Sequence, residues 1–251
     1  LGFQVEIAPN ALSSNNKFAG TDAERFYDLQ TAMNDSSVSA ILCSRGGYGS
    51  MRIVDGLDWS GMKSHPKFII GFSDITTLHD AAYQQGICSV HACMSKDIAL
   101  NDKVAIDALL ALVSQDSSNL AAKPHVLNRV GSSKGELVGG NLSMLYALRG
   151  TEYDVDWKGK VLFVEDLCGD LYHVDRIMQN FRLGGKLNHL AGLVVGQFSD
   201  MTDVEFGKSA CEIIQEAVDG YDFPIMFDAP IGHVFENRAL LHGGTYRLQV
   251  T

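Results

Sequence analysis

The sequence predicts an α/β protein whose parallel sheets carry helices on both faces, and three observations carry that reading. Short apolar runs of strand length, among them Phe68–Ile70 and Lys160–Val164, lack the alternation of half-exposed strands and suit strands covered on both sides. Segments with apolar residues at helical spacing alternate with these runs, which is the order that builds parallel sheets. Loops at the carboxyl ends of two runs are rich in glycine or open on a serine, and ligands sit at such ends.

Taken in order, Val5–Ala8 reads as a first strand, so the natural protein is expected to begin before Leu1. A polar loop covers Asn10–Gly20. Thr21-Asp22-Ala23-Glu24 is a capping-box start for a helix that runs to about Asn34. Val38–Cys43 is the next strand, and Ser44-Arg45-Gly46-Gly47-Tyr48-Gly49-Ser50 joins it to a helix over Met51–Leu57. The loop lacks both the P-loop ending and the G-x-G-x-x-G spacing, and it suits either a tight connector or a backbone that approaches a ligand closely. Phe68–Ile70 then turns at Gly71 into a helix with apolar positions at Ile75, Leu78, Ala81 and Ala82, leaving Ser73 at the junction. Gly86–Ala92 gives a further strand and Val104–Val113 a helix.

Residues 1–115 are therefore read as one unit, 116–134 as a polar crossing containing Pro124, and 135–251 as a second unit. In that second unit Gly135–Leu142 leads into a helix over Leu142–Leu148. Lys160–Val164 delivers Glu165 and Asp166 at its end, and a helix follows over Tyr172–Phe181. Leu190–Gln197 is a strand, Glu205–Val218 a helix and Pro224–Asp228 a strand. Pro230-Ile231-Gly232-His233 is a loop, and Leu240–Val250 reads as a closing hairpin.

Composition excludes several functions. A net charge of −10, with 20 scattered basic residues, argues against a nucleic-acid partner. No apolar run approaches the roughly 20 residues of a membrane span. The five cysteines, Cys43, Cys88, Cys93, Cys168 and Cys211, are odd in number and mostly lie in apolar segments, as reduced thiols of a cytoplasmic protein do. No C-x-x-C pair or matching histidine pair is present, so neither metal nor cofactor is expected.

The chemistry concentrates at three strand ends. Ser73 suits two roles, as N-cap of its helix or as a nucleophile beside the free N–H groups of a helix start. Glu165 ends an apolar run, where a carboxylate is costly without a partner, and the neighbouring Asp166 is more simply a cap. His233 is by itself an ordinary loop histidine. Together the three supply a nucleophile, an orienting acid and a general base, and triads are recognised by such roles. The G-x-S-D setting of Ser73 disfavours an ordinary α/β-hydrolase, which has G-x-S-x-G. Arg45 suits a clamp on a substrate carboxylate, a loop support or a dimer contact.

Five segments together resemble the LD-carboxypeptidases of the muramoyl-tetrapeptide carboxypeptidase type and the related microcin C self-immunity proteins. They are Ser44–Gly49; Ile70–Thr76; Gly139-Gly140-Asn141-Leu142; Val164-Glu165-Asp166 with Tyr172 and Asp175-Arg176; and Pro230–His233 with Asn237. The resemblance implies an N-terminal Rossmann-like domain, a C-terminal swivelling α/β domain and a homodimer. It implies a Ser73, Glu165 and His233 triad, with backbone N–H groups of Asp74 and of Gly46-Gly47 as the oxyanion hole. The implied reaction is release of a C-terminal D-alanine from a murein tetrapeptide. Ala92-Cys93 and Cys168-Gly169 depart from the family's pattern at the pocket rim. Two rival readings stand beside this one: an immunity-type hydrolase of aminoacyl-nucleotides, and a non-catalytic small-ligand-binding protein in which Ser73 merely caps its helix.

Overall fold

A computed structural model describes residues 2–98, 103–114 and 120–251. In chain order the elements are α1 (Asp22–Asn34), β1 (Ala40–Leu42), α2 (Ser60–Ser64), β2 (Phe68–Gly71), α3 (Thr76–Gln84), β3 (Ser89–His91), α4 (Ser95–Ile98) and α5 (Lys103–Val113). They continue with β4 (Gly131–Asn141), α6 (Leu142–Ala147), β5 (Val161–Leu167), α7 (Leu171–Leu183), β6 (Gly192–Ser199), α8 (Ala210–Ala217), β7 (Ile225–Met226), β8 (Leu240–His242) and β9 (Thr245–Val250). Two sheets result, ordered β1-β2-β3-β8 and β7-β6-β5-β4-β9. All pairings are parallel except β3 with β8 and β4 with β9.

The local causes are plain at the helix ends. Thr21 and Glu24 close the capping box of α1, with Thr21 N–H donating to the Glu24 carboxylate at 2.7 Å. At the other end the buried Lys67 donates its ammonium to the carbonyls of Ala32 and Asp35, which the helix leaves unpaired. Ser209 and Glu212 form the same box at α8.

Ile69, Phe72, Leu78 and Met62 share a core under the first sheet, while Val164, Val195, Ile177 and Phe181 share a larger one under the second. The two units meet closely. Asn141 N–H donates to Thr76 Oγ1 at 3.0 Å. Tyr83 donates to Glu136 at 2.5 Å, and Lys160 donates to both, at 2.6 and 2.8 Å.

Several predicted elements take another form. Residues 2–8 form no strand: Phe3, Val5 and Ile7 alternate as a strand would, but no described strand offers them hydrogen bonds and all three are exposed. Met51–Leu57 holds two 3₁₀ turns, Ser50–Arg52 and Val54–Gly56, interrupted at Ile53, in place of an α-helix. The expected crossing lies partly outside the described residues, and its last part, Gly131–Lys134, already pairs with β9. Glu165 and Asp166 lie inside β5, which runs on to Leu167. The expected closing hairpin does not form, because β8 pairs with β3 in one sheet and β9 with β4 in the other.

A candidate active site between the two sheets

β2 delivers Ser73. Phe72 is extended, Ser73 adopts a left-handed φ of 65°, and a 3₁₀ turn over Ser73–Ile75 enters α3. A non-glycine residue in that region is strained, and such strain clusters at functional sites. Asp74 and Ile75 are buried, whereas Ser73 is half-buried, so the turn presents its serine outward.

The glycine loop lies against this serine. A methyl group on Gly46 would stand 2.9 Å from Ser73 Cβ and 3.1 Å from Oγ, so only glycine lets the loop backbone approach. Both ends of the loop are tied down. The buried Asp74 carboxylate accepts from Ser50 N–H at 2.8 Å and from Ser50 Oγ at 2.7 Å. Ser44 carbonyl accepts from Ser95 Oγ at 3.1 Å and from Lys96 N–H at 3.2 Å. Among the described residues, the amides of Gly46, Gly47 and Asp74 donate to no protein acceptor.

Glu165 enters from the second sheet. The register of β5 against β6 shifts between Val164 and Asp166, and such an irregularity re-aims a side chain. Glu165 is fully buried, and burial pushes its carboxyl pKa up, with the bond to His233 opposing the shift. His233 Nδ1 lies 2.7 Å from Glu165 Oε2. Because an ionised carboxylate only accepts, Nδ1 carries the hydrogen and Nε2 is left as the ring's basic nitrogen.

The loop that presents His233 is fixed by Asn237, which accepts from Gly232 N–H at 2.9 Å, and by Ser199, whose Oγ donates to His233 carbonyl at 3.1 Å. A methyl group on Gly232 would meet Glu165 Cβ at 2.8 Å. The Phe72 ring lies against the His233 ring with centroids 4.7 Å apart, so the residue before Ser73 touches the histidine.

The structure thus brings Glu165 to His233, Gly46 to Ser73, and Phe72 to His233. Among the described residues no hydrogen bond joins Ser73 Oγ to His233 Nε2, and in enzymes without substrate such bonds are often long. Asp166 accepts from Asn141 Nδ2 at 2.8 Å and from Ser143 N–H and Oγ at 3.0 and 2.7 Å, which makes it an anchor for the start of α6. The sequence singled out Asn237 without its role in holding Gly232 and missed the Asp74–Ser50 tie.

Beneath the site three histidines are fully buried. His79 Nε2 donates to Gly71 carbonyl at 2.9 Å and its Nδ1 accepts from Ser89 Oγ at 2.8 Å. His242 Nε2 accepts from Gly139 N–H at 3.2 Å, and its ring stacks on His79 at 5.7 Å. Burial pushes the pKa of His79 and of His242 down to about 3, and that of His91 well down. Asp80 lies 3.3 Å from His242, and burial pushes its carboxyl pKa well up. Among the described residues no group of His, Cys, Asp and Glu is arranged to hold a metal, and no helix is long and apolar enough to cross a membrane.

Residues 1–92 match the sequence profile of the LD-carboxypeptidase N-terminal domain, and residues 134–248 that of the LD-carboxypeptidase C-terminal domain. The probable murein peptide carboxypeptidase of Bacillus subtilis is 35% identical over 241 residues, covering 93% of this chain and 76% of the relative. The murein tetrapeptide carboxypeptidase of Pseudomonas aeruginosa is 30% identical over 242 residues, covering 92% and 79%. A crystal structure of muramoyltetrapeptide carboxypeptidase from Oxalobacter formigenes superposes with a TM-score of 0.85 at 25% identity, covering 94% of this chain and 82% of that one. The structure of MccF in complex with glutamyl sulfamoyl guanosine shares the fold, with a TM-score of 0.82 at 18% identity, covering 92% and 79%.

Proposed function

Because the chain belongs to the LD-carboxypeptidase family, we propose that it is a serine peptidase that removes a C-terminal D-alanine from the L-configured centre of a diamino acid in murein tetrapeptides. Its fold is the family's, with a Rossmann-like N-terminal unit and a swivelling C-terminal α/β unit. The observation that carries the reading is the 2.7 Å bond between His233 Nδ1 and the fully buried Glu165, which leaves Nε2 free to act as base.

Ser73 Oγ attacks the scissile carbonyl while His233 Nε2 takes its proton. Glu165 holds the imidazole in the required tautomer and stabilises the imidazolium. The oxyanion takes hydrogen bonds from Asp74 N–H and from the Gly46-Gly47 amides, none of which is committed elsewhere in the described protein. His233 returns the proton to the leaving amine, D-alanine departs, and water hydrolyses the acyl-enzyme by the same route. Each oxyanion donor contributes about 3 kcal/mol to lowering the barrier. A cytoplasmic homodimer completes the proposal, checked by cell fractionation and light scattering.

Mass spectrometry of the products from a murein tetrapeptide tests the assignment. D-alanine release is expected from the native protein and not from Ser73→Ala, and release by that variant at the native rate overturns the triad. The MccF likeness favours a second reading, hydrolysis of an aminoacyl-nucleotide by the same triad. Against it, Trp59 and Trp157 are both core residues, and neither offers a platform for a base. Parallel assays on the tetrapeptide and an aminoacyl-sulfamoyl adenylate separate the two.

A further inference from the structure

We propose that Arg45 selects substrates that end in a free carboxylate, by pairing its guanidinium with the α-carboxylate of the leaving amino acid. The inference rests on the carboxypeptidase reading above and names how that site would recognise its substrate's end.

The placement comes first. Arg45 immediately precedes Gly46, whose backbone touches Ser73, so the cation sits on the same loop as the proposed oxyanion donors. Its side chain folds along that loop: a methyl group on Gly47 would meet Arg45 Nε at 3.6 Å and Nη2 at 3.7 Å. In a peptide the terminal carboxylate carbon lies three bonds beyond the scissile carbonyl carbon, about 3 to 4 Å away. A carbonyl seated at Ser73 therefore puts the carboxylate beside the loop.

The availability of the guanidinium comes second. Arg45 is exposed and forms no hydrogen bond or ion pair with any described residue. Arg25 and Arg52 share Asp22, while Arg129 and Arg149 donate to backbone carbonyls. A loop-supporting role would require bonds that Arg45 does not make, and the loop is already held by Asp74 on Ser50 and by Ser95 and Lys96 on Ser44. A net charge of −10 repels an anionic peptide at long range, so a local cation with a planar, bidentate fork is what its terminus needs.

The test compares kcat/KM for a murein tetrapeptide ending in free D-alanine with that for its C-terminal carboxamide. Native protein, Arg45→Ala, Arg45→Lys and Lys96→Ala are assayed together, with fluorophosphonate labelling of Ser73 as a substrate-independent readout. Arg45→Ala is expected to lower kcat/KM for the acid about 10- to 100-fold, mainly through KM, and to leave the carboxamide rate and the labelling rate unchanged. Arg45→Lys is expected to recover part of the preference, and Lys96→Ala to keep all of it.

The proposal is overturned if Arg45→Ala keeps the native preference, if it slows both substrates and the labelling equally, or if Lys96→Ala is the variant that loses the preference. Native protein that labels but cleaves neither peptide overturns the carboxypeptidase reading itself, and this proposal with it.

Discussion

Asp74 grips Ser50 twice, through the amide at 2.8 Å and the hydroxyl at 2.7 Å, and so ties the turn that carries Ser73 to the far end of the glycine loop. Asp74→Ala leaves two buried donors of Ser50 unpaired, which costs about 2 to 4 kcal/mol in urea unfolding. With the loop released, kcat for D-alanine release should fall about 10- to 100-fold. Asp74→Asn, which keeps one acceptor, should fall between native protein and Asp74→Ala in both measurements.

Glu165→Gln keeps the shape of the buried side chain but offers His233 an amide in place of a carboxylate. The ring can then adopt the wrong tautomer and its cation loses its counter-charge. A fall in kcat of about 10³- to 10⁴-fold is expected, with little change in the circular dichroism spectrum. Steady-state rates within tenfold of native would remove Glu165 from its proposed role.

The left-handed φ of 65° at Ser73 predicts a trade of stability against chemistry. Ser73→Gly relieves the strain and should raise unfolding free energy by about 1 kcal/mol while abolishing turnover. Ser73→Ala keeps a Cβ in that region and should show no such gain. Equal urea midpoints for the two variants would refute the claim that this position is strained.

The buried histidines set an acid limit. The unfolded chain takes up protons near pH 6.5, whereas His79 and His242 in the folded chain resist protonation down to about 3, so stability falls as pH drops through that window. Each ring contributes a slope of about 1.4 kcal/mol per pH unit. Asp80 and Glu165, with raised values, oppose that loss within the same window, while the buried His91, also pushed well down, adds to it. Urea midpoints followed by tryptophan fluorescence from pH 7 to 4 should fall steadily. His242→Gln, whose amide oxygen can still accept from Gly139 N–H, should fall less steeply.

The strands and helices that frame the site were legible because their signals are local. Apolar runs ending at Gly71 and Val164 mark strands by burial alone, and Thr21 with Glu24 marks a helix start by its own hydrogen bonds. What escaped depends on partners distant in sequence. Leu240–His242 and Thr245–Val250 look like two arms of one hairpin until β3 and β4 are seen to take one arm each. Phe3, Val5 and Ile7 alternate correctly, yet alternation does not supply a neighbouring strand. Glu165 and His233 were joined in the sequence by their roles and by the resemblance, since their 2.7 Å contact spans 68 residues and no local pattern encodes it. Ser50 gave no signal, because its significance lies entirely in Asp74.

The seating of β8 against β3 bears on how the molecule comes into being. Ser89, Val90 and His91 find their hydrogen-bonding neighbours at His242, Leu241 and Leu240, roughly 150 residues later in the chain. A ribosome must therefore add about 150 residues beyond β3 before the first sheet can gain β8, and until then β3 stays an open edge. Nonsense mutations or proteolytic nicks that cut the chain before Leu240 would strike the unit that carries Ser73 as hard as the one from which they are cut, and the halves expressed apart would expose edges prone to aggregation.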